Sequence, residues 1–471
     1  MFLLFYLIFS FLTFKSYGIT NDEHEEYLLG KFLYTKLVAN DQILETDFVV
    51  NKTTNRNLLI YDRIYPAILY AINGSESYKI YHLLNLLFAS VIFISIFEVL
   101  YQNTSSAKLA ILGPIFLFFT PRFLGQLANN PKDMPFAIFY FLSLTLIYLF
   151  SKNKFNNNLK MLILGLVLGL TGSMRLIGYS IYLIYLLFSR KPAETLVVFL
   201  LGLLINIITL PYLGADLTHF LELIKVAQDF PWDGQILFFG KNYLAQNLPL
   251  SYLPTWILIS TPVFILLIFG LSLLSFKKLI SNKLYQLFFL SLFINLLIFF
   301  LVKPIIYDGL RHMLFLLPQM VVLGLTYLTP NPSPVKRRGV YLLILINIFL
   351  VFVFYLRFFP YFDLYFNESK YFLHSEQNFE LDYWGASYRE AVLSLNKQVD
   401  TEKKYLVYVC DDPIQAEYYF GQNLKLEIDK NKADYLLCND RDFATPKGVT
   451  LFHEIKRGNL VINNIYRKVP N

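Results

Sequence analysis

The stretch LYQLFFLSLFINLLIFFLV, residues 284–302, contains no charged residue and lies between Lys283 and Lys303. A helix needs about 20 predominantly apolar residues to cross the hydrocarbon core of a bilayer, so this run predicts a membrane-spanning helix. Comparable runs occur along most of the chain, and together they predict a mainly α, polytopic membrane bundle of about eleven spanning helices. The other ten runs are residues 1–17, 80–100, 108–121, 134–150, 160–174, 176–188, 195–211, 253–275, 312–329 and 339–357.

The composition agrees with a membrane protein. Of 471 residues, 56% are hydrophobic and only 16% are charged, whereas soluble domains carry about 25% charged residues. A chain with so many apolar residues would expose a surface that water cannot hydrate. We therefore expect the lipid bilayer to be the partner of most of the chain. The formal net charge of +7 does not indicate nucleic-acid binding, because much of the basic excess lies in short loops between apolar runs.

The distribution of basic residues predicts the orientation. Every second loop between the predicted spans is basic, and Glu194 is the only acidic residue in these five loops, which are residues 101–107, 151–159, 189–194, 276–283 and 330–338. Their basic residues, within the loops or at their edges, are Lys108, Lys152, Lys154, Lys160, Arg190, Lys191, Lys277, Lys278, Lys283, Lys336, Arg337 and Arg338. Positive charge favours the cytoplasmic side, which predicts a plasma (inner) membrane protein with a cytoplasmic N-terminus. Two long outer loops, 18–79 and 212–252, then face the other compartment.

The composition changes to that of a soluble fold at about residue 358. The runs Tyr405–Cys410 and Ala433–Cys438 predict strands, Ile414–Phe420 predicts a helix, and Thr450–Ile455 with Leu460–Arg467 predicts a hairpin. We therefore expect a membrane domain, residues 1–357, followed by a small extracytoplasmic α/β domain, residues 358–471. The only two cysteines, Cys410 and Cys438, lie in the second domain. They are able to form a disulfide if that domain faces an oxidising compartment.

Two groups of acidic residues are candidates for chemistry. The run Asp22-Glu23-His24-Glu25-Glu26 follows the first predicted span. It is either a solvated acidic segment or the source of a general base whose pKa is raised by partial burial. Asp133 follows Lys132 at the start of the fourth predicted span. That position favours a helix cap, and a carboxylate fixed there is also rigid enough for catalysis.

Three basic residues lie at the predicted outer ends of spans, where positive charge is otherwise disfavoured. They are Arg175, Arg311 and His312. Side chains that extend to the interface are one interpretation. The other is a binding site for a lipid-linked phosphate, because several converging cations suit that ligand.

Four segments carry a resemblance to a known superfamily. They are Asp22-Glu23, NPKDMPF at 130–136, YDGLRH at 307–312 and LDYWG at 381–385. With them the chain resembles the GT-C superfamily of membrane glycosyltransferases, specifically bacterial proteins similar to dolichyl-phosphate-mannose–protein mannosyltransferases. The chain departs from the eukaryotic members because residues 212–252 are too few to hold their β-trefoil repeats.

The resemblance implies an inverting transfer of a sugar from a polyprenyl-phosphate donor to an extracytoplasmic protein, lipid or glycan acceptor. It implies Asp22 as the catalytic base and Glu23 as the second candidate. Asp133 would orient a substrate, or bind a divalent metal ion if one takes part. Arg175, Arg311, Lys132 and His312 would bind the donor phosphate.

Two other classes of function remain open at the level of sequence. One is a transporter or flippase of lipid-linked sugars, and the other is a non-catalytic protein of cell-envelope assembly. A transporter needs polar side chains along a path through the membrane. The predicted spans hold few charged residues in their interiors, which favours chemistry at the ends of the helices.

Overall fold

The computed structural model describes residues 1–35, 38, 64–152, 155–209, 234–328, 334–439 and 447–469. Much of each predicted outer loop therefore lies outside the described residues, namely residues 36–63 except for residue 38, and residues 210–233. The helices up to the end of the apolar region are α1 Phe2–Thr13, α2 Asn21–Tyr34, α3 Ile64–Asn73, α4 Tyr78–Phe88, α5 Ser90–Thr104, α6 Ala107–Ala110, α7 Leu112–Phe118, α8 Pro121–Leu124, α9 Asp133–Lys152, α10 Asn157–Met174, α11 Ser180–Ser189, α12 Pro192–Thr209, α13 Tyr252–Ser260, α14 Val263–Leu274, α15 Phe276–Leu279, α16 Lys283–Val302, α17 Leu316–Leu328 and α18 Pro334–Phe358.

Six of the predicted spans are helices long and apolar enough to cross a membrane. They are α4 with α5, α9, α10, α12, α16 and the part of α18 from Gly339 to Phe358. Two more predicted spans belong to bent pairs: α1 turns by 101° into α2, and α13 turns by 118° into α14. Up to eight spans are thus found among the described residues, and the predicted count of eleven is not confirmed.

The remaining three predicted spans are helical but short. They correspond to Ala107–Phe118, Leu176–Ser189 and Leu316–Leu328, each 10–17 residues long. At a rise of 1.5 Å per residue, such helices are shorter than the hydrocarbon core of a bilayer. Apolar composition alone did not distinguish these short helices from complete spans.

Close packing between α10 and α12 depends on glycine. A Cβ atom added at Gly169 would lie 2.8 Å from the Cα atom of Gly202, and one added at Gly165 would lie 2.5 Å from the Cβ atom of Leu201. Small residues let two helix backbones approach each other in this way. This packing helps to position Arg175, which directly follows α10.

The C-terminal region forms a five-stranded mixed sheet. Its elements are α19 Lys370–Leu373, α20 Ser375–Asn378, α21 Tyr388–Gln398, β3 Tyr405–Val409, α22 Ile414–Glu417, β4 Leu424–Leu426, β5 Tyr435–Asn439, β6 Val449–Arg457 and β7 Leu460–Lys468. The strand order is β4-β3-β5-β7-β6; β3 pairs in parallel with β4 and β5, and β7 pairs antiparallel with β5 and β6. The predicted strands and hairpin are confirmed, and the predicted helix covers only Ile414–Glu417. Cys410 and Cys438 form a disulfide between the ends of β3 and β5.

The chain does not leave the apolar helices at Phe358, where the domain boundary was predicted. The Asn367 amide donates hydrogen bonds to the carbonyl oxygens of Leu258 and Thr261, at 2.6 and 2.7 Å. The Asn347 amide of α18 donates to a Glu368 carboxylate oxygen at 2.7 Å. The first residues after Phe358 therefore pack against α13, against the bend between α13 and α14, and against α18. A smaller hairpin, β1 Gln235–Phe238 with β2 Lys241–Leu244, lies beside this segment, since Phe238 forms a β-bridge with Phe379.

Candidate active site

The start of α2 presents Asp22 and Glu23 in different directions. Thr20 and Glu23 form a capping box, in which the backbone N–H of Thr20 donates to Glu23 Oε2 at 2.8 Å. The other Glu23 oxygen lies 2.8 Å from Nε2 of the buried His82 on α4. Glu23 thus fixes the first turn of α2 to α4. Asp22 points to a different set of partners, on the side of Arg311.

The loop before α9 is organised by Asn130. Its side-chain oxygen accepts hydrogen bonds from the backbone N–H groups of Asp133, at 2.7 Å, and Lys132, at 3.3 Å. Asn130 therefore caps this helix end, and the prediction that Asp133 is the cap is wrong. Because Asp133 lies in the first turn instead, its carboxylate is available for partners in other segments. The N-terminal end of a helix also favours a negative charge there.

Arg311 connects three carboxylates. Its Nη1 lies 2.5 Å from Asp22 Oδ2 and 4.0 Å from Asp133 Oδ2, and its Nε lies 3.3 Å from Asp308 Oδ2. The Arg311 side chain is only 3% exposed. Its guanidinium also lies against the rings of Tyr307 and Trp384, with centroid distances of 4.8 and 5.0 Å.

Two further cations complete the cluster. Arg175, directly after α10, forms a hydrogen-bonded ion pair with Asp133 Oδ1, and Lys132 Nζ lies 3.9 Å from Asp22 Oδ1. The structure therefore brings together five of the seven predicted site residues, from four segments that are distant in sequence. We call Asp22, Lys132, Asp133, Arg175, Asp308 and Arg311 the charged cluster. It pairs three carboxylates with three cations.

Asp308 is a site residue that the sequence prediction did not include. It lies within the quoted YDGLRH segment, and its φ of +58° is followed by a φ of +68° at Gly309. This turn brings the carboxylate back towards Arg311, three residues later. The motif contained the signal, but the turn conformation that aims Asp308 at Arg311 was not apparent from the sequence.

The charges change the acidity of Asp22. Burial alone would raise the pKa of its carboxyl, but the positive charges of Lys132 and Arg311 outweigh burial and hold the pKa well below its usual range. The prediction that burial raises this pKa is therefore wrong for the structure as it stands. Burial does raise the pKa of the Glu23 carboxyl, and the His82 and Thr20 contacts offset this only in part.

His312 contributes no positive charge to the cluster at neutral pH. Burial, together with the charges of Arg311, Arg175 and Lys132, lowers the pKa of its imidazole well below the usual value. Its ring packs edge-on against Tyr307 at a centroid distance of 4.7 Å. The expectation of a cationic His312 is thus corrected to a neutral imidazole. Lys132 remains charged, because the negative charges of Asp22 and Glu26 outweigh burial and raise its pKa.

The charged cluster does not fit a metal ion in this arrangement. Within the part of the chain that the structure describes, no three His, Cys, Asp or Glu side chains are grouped as metal ligands. The three aspartates instead share the guanidinium of Arg311, so they do not form an open set of ligands.

Two clefts adjoin the charged cluster. One is lined by Glu23, Glu26 and Pro131 together with tyrosines of α2 and α4 and with Pro66 and Leu69 of α3. The other is lined by residues that include Gln126 and Trp384. Pro131 directly precedes Lys132 in the chain, and Trp384 lies against the Arg311 guanidinium.

Comparison with known proteins identifies the fold. No protein-family model matches the chain, and no curated protein matches its sequence. Among solved structures, the chain is similar to ArnT from Cupriavidus metallidurans bound to undecaprenyl phosphate, with a TM-score of 0.55, 10% identity, and coverage of 99% of this chain and 97% of that one. ArnT in the apo state has a TM-score of 0.49, with 12% identity and coverage of 99% and 96%. The archaeal oligosaccharyltransferase AglB from Archaeoglobus fulgidus has a TM-score of 0.47, with 10% identity and coverage of 90% and 66%.

Of these three similarities, only the first has a TM-score above 0.5. It extends over nearly the whole of both chains, from α1 to the C-terminal sheet. It does not distinguish the mannosyltransferase family from others of the superfamily. The chain therefore has the same fold as ArnT.

Proposed function

We propose that this chain is an inverting glycosyltransferase that uses a sugar linked to a polyprenyl phosphate and transfers it to an extracytoplasmic protein, lipid or glycan. The observation that carries the proposal is the convergence of Asp22 with Arg311 and Lys132 in one buried cluster. A base beside several cations is the combination that glycosyl transfer from a phosphate requires. The solved ArnT structure with the same fold contains undecaprenyl phosphate.

The extracytoplasmic location of the charged cluster is supported by the charged residues at the two ends of α9 and α10. α9 runs from Asp133 to Lys152, and α10 runs from Asn157 to Met174. The charged cluster therefore lies at one end of these helices and the basic residues Lys152 and Lys160 lie at the other. Since basic loops favour the cytoplasm, the cluster faces the opposite compartment, in a multi-pass plasma membrane protein with a cytoplasmic N-terminus.

Binding of the donor changes the partners of Asp22. The phosphodiester brings a negative charge to a cluster whose three carboxylates are already matched by three cations. Phosphate oxygens compete with Asp22 for Arg311 and Lys132, because both cations form strong charge-assisted hydrogen bonds with phosphate. When these two cations move to the phosphate, burial becomes the main influence on Asp22 and its pKa rises. Asp22 thus becomes a better base when the donor is present.

The reaction then needs one proton transfer and one displacement. A hydroxyl group of the acceptor gives its proton to Asp22 while its oxygen attacks the anomeric carbon of the sugar. The bond between that carbon and the phosphate oxygen breaks, and its electron pair leaves with the polyprenyl phosphate. Arg311, Arg175 and Lys132 stabilise the additional negative charge on the leaving phosphate. Asp133 orients Arg175, and neutral His312 donates a hydrogen bond at the phosphate.

The test uses the purified protein in nanodiscs with a polyprenyl phosphate carrying a radiolabelled sugar, and with extracted cell-envelope glycans, lipids and proteins as acceptors. We expect the label to move to an acceptor and free polyprenyl phosphate to appear in equal amount. Mass spectrometry of surface glycans from a deletion strain then identifies the missing sugar. Movement of the intact lipid-linked sugar across the bilayer, with no cleavage of the sugar–phosphate bond, would support a flippase instead.

A further inference from the structure

We propose that the C-terminal domain completes the active site, with Trp384 as the positioning residue that holds Arg311 in place. This inference rests on the proposed function, and it concerns the turn from Asp382 to Ser387, which we call the Trp384 turn. The turn lies in the domain that the sequence predicted as a separate soluble unit. Its contacts reach both Arg311 and the residue next to Asp22.

The indole ring makes the first of these contacts. Trp384 lies against the Arg311 guanidinium at 5.0 Å, and Tyr307 lies against the same group at 4.8 Å. Tyr307 comes from the same segment as Arg311, so Trp384 is the aromatic partner supplied by the other domain. A cation over an aromatic face is attracted by the ring, more strongly where water is excluded. Trp384 is 4% exposed and Arg311 is 3% exposed.

The backbone of Trp384 makes the second contact. Its carbonyl oxygen accepts a hydrogen bond from the backbone N–H of Asn21 at 3.2 Å and from the Gln415 amide at 2.6 Å. The Asn21 side chain in turn donates to Asp411 Oδ2 at 3.1 Å. Asn21 is the residue immediately before Asp22. The same turn therefore fixes the base and its cationic partner relative to each other.

The Trp384 turn is itself rigidly attached to the C-terminal sheet. The Asp382 carboxylate accepts hydrogen bonds from the backbone N–H groups of Ala386 and Ser387, at 3.1 and 2.9 Å. The Asn439 amide of β5 donates to the Asp382 carbonyl at 3.1 Å. Gly385 has a φ of +72°, and a Cβ atom there would lie 2.6 Å from the Gln415 side chain. The position of the indole ring is thus determined by the domain that carries it.

The chain offers a matched control for this contact. Tyr361 lies against the Arg457 guanidinium at 4.9 Å, is 4% exposed, and also belongs to the region after Phe358. Arg457 is 20% exposed, against 3% for Arg311, so Tyr361→Leu removes a partly buried arginine–aromatic contact without touching Arg311. Trp384→Leu removes the contact at Arg311, and Trp384→Phe keeps an aromatic face there.

The first measurement does not depend on the proposed function. Full-length protein in nanodiscs is treated with phenylglyoxal, which modifies arginine, and the modification of Arg311 is followed by mass spectrometry. We expect Trp384→Leu to increase the rate at Arg311 at least about tenfold, with Trp384→Phe and Tyr361→Leu within about twofold of wild type. Equal rates at Arg311 in all four proteins would overturn the positioning role, as would a Trp384→Phe rate equal to that of Trp384→Leu.

The second measurement is binding of radiolabelled undecaprenyl phosphate to the same nanodiscs. We expect Trp384→Leu to weaken binding about tenfold and Tyr361→Leu to leave it unchanged. If the wild type does not bind this lipid, the proposed function fails while the arginine modification still decides the positioning role. If the wild type binds it and Trp384→Leu binds it equally well, the inference fails and the proposed function stands.

Discussion

Arg311 donates a hydrogen bond of 2.5 Å to Asp22, although 289 residues separate them in the chain. The contact joins the start of α2 to the segment before α17. It places the proposed base in an ion pair whose cation is also the best candidate for binding the donor phosphate. The charges that the donor would engage are thus paired with one another in this structure.

Replacement of the proposed base tests the chemistry directly. We expect Asp22→Asn to reduce sugar transfer by about 10²- to 10⁴-fold, the usual contribution of a general base. The measurement is transfer of radiolabel from the polyprenyl-phosphate donor in nanodiscs. Glu25→Gln, on the same helix, is the control and should keep full activity. Full activity in Asp22→Asn would remove Asp22 from the mechanism.

Glu23 distinguishes the two candidate bases. Glutamine at this position retains a capping box and a hydrogen-bonding group for His82. We therefore expect Glu23→Gln to keep transfer activity within about threefold of wild type. A loss of activity as large as that of Asp22→Asn, with an unchanged melting temperature, would assign the base to Glu23 instead.

Arg311→Lys tests whether a positive charge at this position is sufficient or whether the planar guanidinium group is needed. Lysine keeps the positive charge but loses the planar fork that binds two oxygens at once. We expect the KM for the donor to rise by about 10- to 100-fold, the equivalent of one charge-assisted hydrogen bond, and the KM for the acceptor to change little. Arg457→Lys, at the ion pair with Glu390, is the control. Equal increases in both KM values would contradict a role in phosphate binding.

Removal of the Arg311 charge should destabilise the protein. Arg311→Ala leaves Asp133 and Asp308 buried with less compensation, and breaking a buried ion pair costs about 3–5 kcal/mol. We expect a lower melting temperature in detergent, partly restored by adding Asp308→Asn. The double variant has one uncompensated carboxylate fewer. No recovery on adding Asp308→Asn would show that Asp308 does not depend on Arg311.

The pH dependence of stability follows from the lowered pKa of Asp22. A carboxyl whose folded pKa lies below its unfolded value of about 3.9 stabilises the fold above that value. This contribution is lost as the pH falls through the folded pKa. We expect the difference in melting temperature between wild type and Asp22→Asn to be constant from about pH 8 to 5 and to shrink below about pH 4. A difference that changed between pH 6 and 8 would contradict the ion pair.

Much of the fold was predictable because a membrane span is a local property of the sequence. Composition within about 20 residues decides whether a helix is long and apolar enough, and six runs met this criterion. The bend of 118° between α13 and α14 and the short helix α17 were not predictable in this way. Their geometry depends on packing against other helices, which the sequence does not show locally.

Most residues of the site were predictable from the sequence, but the contacts between them were not. The predicted residues lie at or next to predicted helix ends, where a charged side chain need not enter the hydrocarbon core of the membrane. They are Asp22, Lys132, Asp133, Arg175 and Arg311. Asn130 as the helix cap, the turn that aims Asp308, and the contact of Trp384 with Arg311 depend on three-dimensional structure. The pKa values of Asp22 and His312 also depend on three-dimensional structure. Neighbouring cations lower the pKa of Asp22, which burial was expected to raise. Burial and the same cations lower the pKa of His312, which was expected to be positively charged.

The attachment of residues 361–369 to the apolar helices limits where this protein can be divided. Arg122 lies between the rings of Trp256 and Phe366, at 4.9 Å from each, and donates a hydrogen bond to the Tyr365 carbonyl oxygen. A chain cut at Phe358 would leave this buried arginine without one of its rings and without its acceptor. Chimeras that exchange the C-terminal sheet between related proteins should therefore keep everything through Ser387 from a single parent.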